Sequence, residues 1–176
     1  MNALQKLYFV SHPLRLSRYG AHTSLSTAER IEIIDALTQI LGTTLGMLAQ
    51  LRLGQKKVRN GSFLPVQQLF HRLVRANTDY ADFLISGITD LGGYADTAAL
   101  YFLNDACGPQ CFADCLTGIG QGMRRLRAVD ALLRDYRASA TANKDNASKR
   151  FFEECVRRNA RFLSMIENNL PHDQPG

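Results

Sequence analysis

Apolar residues recur at helical spacing in four long stretches of this chain, and nowhere do they alternate as strand residues would. The first stretch opens at Ser26, with Glu29 three residues on, a pairing in which each side chain satisfies the other's backbone N–H. Ile33, Ile34, Leu37, Ile40, Leu41, Leu45, Met47, Leu48 and Leu51 then carry a helix to about Arg52. So broad a stripe predicts packing against more than one layer, a subunit interface included. Asn60-Gly61 marks a turn, and Pro65 suits the first turn of a second helix. That helix carries Val66, Leu69, Leu73, Tyr80, Leu84, Ile88 and Leu91, interrupted by His71, Asp79 and Asp82, and stops at Gly92-Gly93. Residues Asp96 to Asn104 read as a short separate helix in the connection that follows.

A third helix is expected from near Pro109 to about Ser139, through Phe112, Leu116, Ile119, Met123, Leu126, Val129, Leu133 and Tyr136. Gly118, Gly120 and Gly122 each cost a helix interior about 1 kcal/mol against alanine, so this part is expected to be bent or closely packed. After a polar break at 141–148, Phe151, Phe152, Cys155, Val156, Phe162, Leu163, Ile166 and Leu170 form a fourth stripe ending before Pro171. The pattern predicts an all-α four-helix bundle over 26–172, with a short extra helix in the crossover between helices two and three.

Residues 1–25 break this periodicity. They hold Lys6, Arg15 and Arg18, with His12 and His22 and no acidic residue, and Pro13 and Gly20 interrupt the chain. Two readings stand: a terminus draped on the surface, or a basic arm that contacts phosphates. Residues 173–176 form a short tail.

Length and composition bound the rest. A chain of 176 residues, 45% apolar and 21% charged, fits one soluble globular domain. No apolar run approaches the ~20 residues of a membrane span, and the first residues lack a secretory pattern. The expectation is a cytoplasmic protein with no membrane partner, its four cysteines reduced. A net charge of +5 and an isoelectric point near 9.2 raise the prospect of an anionic partner.

Candidate chemistry is thin. Cys107, Cys111 and Cys115 are spaced by four, which places the last two on one helix face, but a second pair for structural zinc is missing. Buried reduced thiols are the expectation. No G-x-S-x-G elbow occurs, and the glycines at 118–122 follow no strand, as a phosphate loop would require. A di-iron centre within one bundle needs several carboxylates and Glu-x-x-His pairs. The chain has no Glu-x-x-His, and no acidic residue between Asp35 and Asp79.

The start S-T-A-E-R, the run V-R-N-G-S-F-L-P-V at 58–66, Asp79 and Asp82, L-G-G at 91–93 and the ending F-L-S-M-I-E-N-N-L at 162–170 resemble the Dps family of mini-ferritins, the DNA-binding proteins of starved bacteria. The short helix from Asp96 matches a family hallmark. The resemblance implies a ferritin-like fold and a hollow shell of twelve identical subunits. It also implies Fe(II) oxidation with peroxide, iron storage and stress protection, and non-specific DNA binding through basic termini, here Lys6, Arg15 and Arg18. In the family the iron site lies between two subunits.

At the positions that match that site, most ligands are replaced. The family's His-Trp-Asn falls on Gln55, Lys56 and Lys57, its next histidine on Gln67, and its aspartate on His71. The partner subunit's aspartate and glutamate fall on Asp82 and Ser86. His71 and Asp82 then read as a remnant metal site between subunits, or as a polar pair at a wet interface. One carboxylate and one imidazole do not balance two irons, so the expectation is a ferroxidase reaction lost or severely reduced. No cofactor is required, and iron binding is expected to be weak. Ligands relocated elsewhere in an active enzyme, or a small helical interaction module outside the family, are the alternatives.

Overall fold

The computed structural model describes residues 22–58, 64–95 and 111–170, and among these the chain is helical with no strand. Helix α1 spans Thr27–Val58, α2 Leu64–Asp90, α3 Phe112–Ala142 and α4 Asn146–Glu167. The Asn60-Gly61 turn, the short helix expected from Asp96, Cys107, Pro109, Lys6, Arg15 and Arg18 lie outside the described residues.

The helix boundaries follow from local chemistry. Ser26 N–H donates to Glu29 Oε2 at 2.8 Å and Glu29 N–H to Ser26 Oγ at 3.3 Å, the reciprocal cap expected at the start of α1. Helix α1 continues beyond the expected end at Arg52 to a buried Val58. The missed turns are held by Gly54, where a Cβ would stand 2.4 Å from Cε1 of Phe70, so only glycine lets the α2 ring seat there undisturbed. At the end of α2, Gly92 takes φ 86° and Gly93 N–H donates to Ile88 O at 2.8 Å, closing the helix with a left-handed glycine.

Asp145 caps α4. Its carboxylate accepts from Ser148 N–H at 3.0 Å and Ser148 Oγ at 2.8 Å, and also from the Thr23 hydroxyl. Residues 23–25 are thereby tied to the bundle, with Leu25 packed against its core. Burial pushes the Asp145 carboxyl up, but the hydrogen bonds from Ser148 and Thr23 prevail and hold it below the usual carboxylate range. A depressed carboxylate stabilises the fold above its unfolded pKa of about 3.9 and loses that contribution as pH falls through the folded value. Asp145→Ala is therefore expected to cost about 0.5–2 kcal/mol in urea unfolding at neutral pH. The gap to the natural chain should close in acid; one that persists unchanged would show that the carboxylate's charge is irrelevant.

Packing contacts set the topology. Gly54 meets Phe70 at one end of the α1–α2 pair, and Gly93 meets Ile34 at the other, so these helices are antiparallel. Gly118 faces Gln50 and Gly122 faces Met47, which makes α3 antiparallel to α1 and shows the expected close packing at these two glycines, while Gly120 faces open space. Phe83 stacks on Phe151 at 5.2 Å, while Arg158 donates to Asp79 O at 3.3 Å, so α4 runs antiparallel to α2. Tyr136 stacks on Phe152 at 5.3 Å and Asn159 Nδ2 donates to Leu126 O at 3.0 Å, joining α3 to α4. The result is a four-helix bundle whose neighbouring pairs are α1–α2, α1–α3, α3–α4 and α2–α4. Helices α2 and α3 are parallel on a diagonal. Helix α2 ends beside the start of α1 and α3 begins beside its end, so the two points that residues 96–110 connect lie at opposite ends of the bundle. The intervening segment, 95–111, can span roughly 50 Å extended, against roughly 24 Å between the levels of Ile34 and Gln50.

The core has two apolar halves. One gathers Leu37, Leu41, Leu84, Leu133 and Phe152, the other Leu51, Phe70, Leu73, Leu126 and Phe162. Between them Thr44, Asn77 and Asn159 are turned inward and fully buried. Thr44 bonds Ile40 O at 2.9 Å. Neither polar atom of the Asn77 amide, nor the Tyr80 hydroxyl, has a partner among the described residues. An unpaired buried polar group costs about 1–3 kcal/mol. Asn77→Leu, similar in size, is accordingly expected to raise the urea midpoint with its slope unchanged. A lowered midpoint would show that the amide is bonded in the folded protein.

Candidate functional site

The residues singled out from sequence sit on the outward side of α2. His71, Asp79, Asp82 and Ser86 are all exposed, while Leu73, Tyr80, Leu84 and Ile88 are buried. His71, Asp79 and Asp82 therefore do not interrupt the apolar stripe, as the linear pattern suggests; three-dimensional winding puts them opposite it. His71 and Asp82 share a face but stand eleven residues apart, roughly 16 Å along the helix axis. One ion cannot be held by both within a single chain. Among the described residues, no group of three or more histidine, cysteine or carboxylate side chains is placed to hold a metal.

The other positions are committed or solvated. Gln67 Nε2 donates to Val58 O at 3.2 Å, bracing the end of α1 against the start of α2. Gln55 is half-buried, and Lys56 and Lys57 project from the last turn of α1, where cations favour the helix C-terminus. Ser86 lines an open recess of about 670 Å³ between α2 and α4, with Phe83, Phe151, Lys144, Arg150 and Glu154.

The cysteines divide. Cys115 and Cys155 are free and buried, and burial pushes both thiols up, so they stay protonated and unreactive. Cys111 departs from the expectation of a buried thiol. It is free, exposed and sits just before the first residue of α3, where its N–H donates to Asp114 Oδ2 at 2.9 Å. The spacing of four does not put Cys111 and Cys115 on one helix face, because Cys111 precedes the helix.

Several basic side chains are engaged within the bundle. Arg127 pairs with Glu167, and Arg157 and Arg158 both bond Glu154. Arg124 and Arg125 are exposed. The sequence reading passed over Arg72 and Arg75. The spacing R-x-x-R does not single them out, since it also occurs at 15–18, 124–127, 134–137 and 158–161; it is packing of α2 on α4 that brings the copies at 72–75 and 158–161 to one groove.

No protein-family model and no curated protein matches this chain. By length and mean hydropathy α1 is the one described helix able to cross a membrane; here its apolar residues supply the core shared with α2 and α3.

Proposed function

We propose that this chain is a ferritin-like shell subunit of the Dps kind, cytoplasmic, assembling as twelve copies and binding DNA non-specifically through Lys6, Arg15 and Arg18. The observation that carries the reading is the topology. A bundle with α2 and α3 parallel and a single lengthwise crossover between them is the arrangement of ferritin-like folds, and up-down bundles with short loops lack it. The exposure of His71, Asp82 and Ser86 supports it further. Side chains at the positions of an inter-subunit site have to face outward, where a second copy could meet them.

The chemistry is expected to be largely gone. Iron is the family's substrate and cargo, and two ferrous ions need several anionic oxygen and imidazole donors. This set offers one carboxylate and one imidazole, with Gln67 already used as a brace and two lysines close behind Gln55. The protein then works as a storage or protective shell and a DNA-binding protein rather than as an oxidase.

Solution mass tests the assembly directly. A particle of about twelve times 19.6 kDa supports the shell, whereas a monomer or dimer favours a small helical interaction module. DNA binding carried by phosphate contacts should show little sequence preference and fall steeply with salt. A gel shift with no retardation even at low salt removes that half of the proposal.

A further inference from the structure

Four arginines converge across the seam between α2 and α4. Arg72 and Arg75 stand on α2, Arg158 and Arg161 on α4, and with Asp79 they line a groove of about 370 Å³. Residues three apart on a helix are surface neighbours, so Arg72 and Arg75 on one side and Arg158 and Arg161 on the other border the same groove. Glu154 already meets the charge of Arg158, which leaves Arg72, Arg75 and Arg161 facing one carboxylate, Asp79. Ala76, Phe162 and Met165 supply an apolar floor.

One of the four is held in place. Arg158 Nε donates to Glu154 Oε1 at 2.6 Å, its Nη1 to Asp79 O at 3.3 Å, and its guanidinium lies 4.6 Å from the centre of the Phe83 ring. The other three are uncommitted: Arg72, Arg75 and Arg161 are exposed and make no ion pair among the described residues. Asp79 follows Arg75 by four residues, a spacing that permits a helix ion pair, yet the two do not form one. Like charges gathered in this way repel one another, and a multiply charged anion would relieve that cost.

We propose that the α2–α4 groove is a binding site for a polyphosphorylated anion, distinct from the basic N-terminal segment. Arg75 shares the outward face of α2 with His71, Asp82 and Ser86, so in the proposed shell the anion would sit at the edge of the contact with a second copy. Guanidinium forks match phosphate oxygens bidentately, so Arg72 and Arg75 on α2 and Arg161 on α4 can take phosphate oxygens, while Arg158 stays engaged with Glu154 and Asp79 O at the groove wall. The volume lies in the range of small-ligand pockets. A single carboxylate ligand would leave most of the charge unbalanced. Linked phosphates would not, and they occur both in free polyphosphate and along a nucleic-acid backbone.

The test uses the full-length chain at low salt with two probes, inorganic tripolyphosphate followed by isothermal titration and duplex DNA followed by gel shift. Both are measured on the natural chain, on Arg72→Gln with Arg161→Gln, and on Lys6→Ala with Arg15→Ala and Arg18→Ala. The expected result is saturable tripolyphosphate binding, weakened roughly tenfold or more in the groove variant, as loss of charge-assisted hydrogen bonds implies. The N-terminal variant should leave that binding intact. If tripolyphosphate fails to bind but the groove variant weakens DNA binding, the phosphates belong to nucleic acid and the site stands. Should the groove variant bind both probes as the natural chain does, or should neither probe bind the natural chain, the proposal is overturned. Arg75→Gln alone serves as the second variant if the double substitution disturbs folding, which circular dichroism checks.

Discussion

Fe(II) supplied with hydrogen peroxide is expected to be oxidised no faster by this chain than without protein, and rapidly by a variant carrying Gln55→His, Gln67→His, His71→Asp and Ser86→Glu. The natural positions offer one imidazole and one carboxylate, too few donors to balance two ferrous ions. The four substitutions provide two imidazoles and three carboxylates, Asp82 included, on faces that are exposed or half-buried. That donor set can balance two ferrous ions if, as in the proposed shell, a second copy sets its residues 82 and 86 opposite 55, 67 and 71. The change has a cost. Gln67→His removes the hydrogen bond to Val58 O, worth about 1 kcal/mol, where α1 meets α2. Rapid oxidation by the natural chain, abolished in Asp82→Ala, would sink the idea of a degenerate site. An inert variant that still forms the shell would show instead that the site was placed on the wrong residues.

The second large effect is on stability. Phe152→Ala is expected to cost about 3–5 kcal/mol in urea unfolding. Phe152 is 1% exposed and stands at the centre of an aromatic relay. Tyr136 of α3 stacks on it at 5.3 Å, and Phe151 meets it edge-on at 5.4 Å. Phe151 in turn stacks on Phe83 of α2 at 5.2 Å. Truncation at Phe152 therefore uncouples three helices and leaves a cavity that the facing rings cannot collapse to fill. A domain stable by 5–15 kcal/mol loses a large share of that margin. Phe83→Ala should cost visibly less, because Phe83 is only half-buried and also faces Arg158. Equal losses at the two positions would contradict the relay.

Much of the fold was legible from local pattern, and the reasons are physical. Helical periodicity over twenty or more residues has few other meanings, and the caps at Ser26–Glu29 and Gly92-Gly93 depend on groups within a few residues of each other. The reading of α1 stops short because beyond Leu53 come Gly54, Gln55, Lys56 and Lys57, with Val58 the single apolar side chain after them. Gly54 is buried for its lack of a side chain, and only Phe70, sixteen residues on, gives that a purpose. The outward face of α2 was misread for a similar reason. His71, Asp79 and Asp82 break a linear run of apolar residues, but the winding of the helix keeps the buried stripe whole.

The chain's own order of residues was enough to specify four helices, the cap that opens α1 and the glycine stop of α2, a basic excess and the poverty of metal donors, since each depends on neighbours in sequence or on composition. Three-dimensional packing alone settled the direction of α3 against α1, the buried layer of Thr44, Asn77 and Asn159, the exposure of Cys111 beside a buried Cys115, and the meeting of Arg72 and Arg75 with Arg158 and Arg161. Each of these joins residues dozens of positions apart or sets a side chain's depth, and periodicity within one helix carries no information about which neighbour that helix will face.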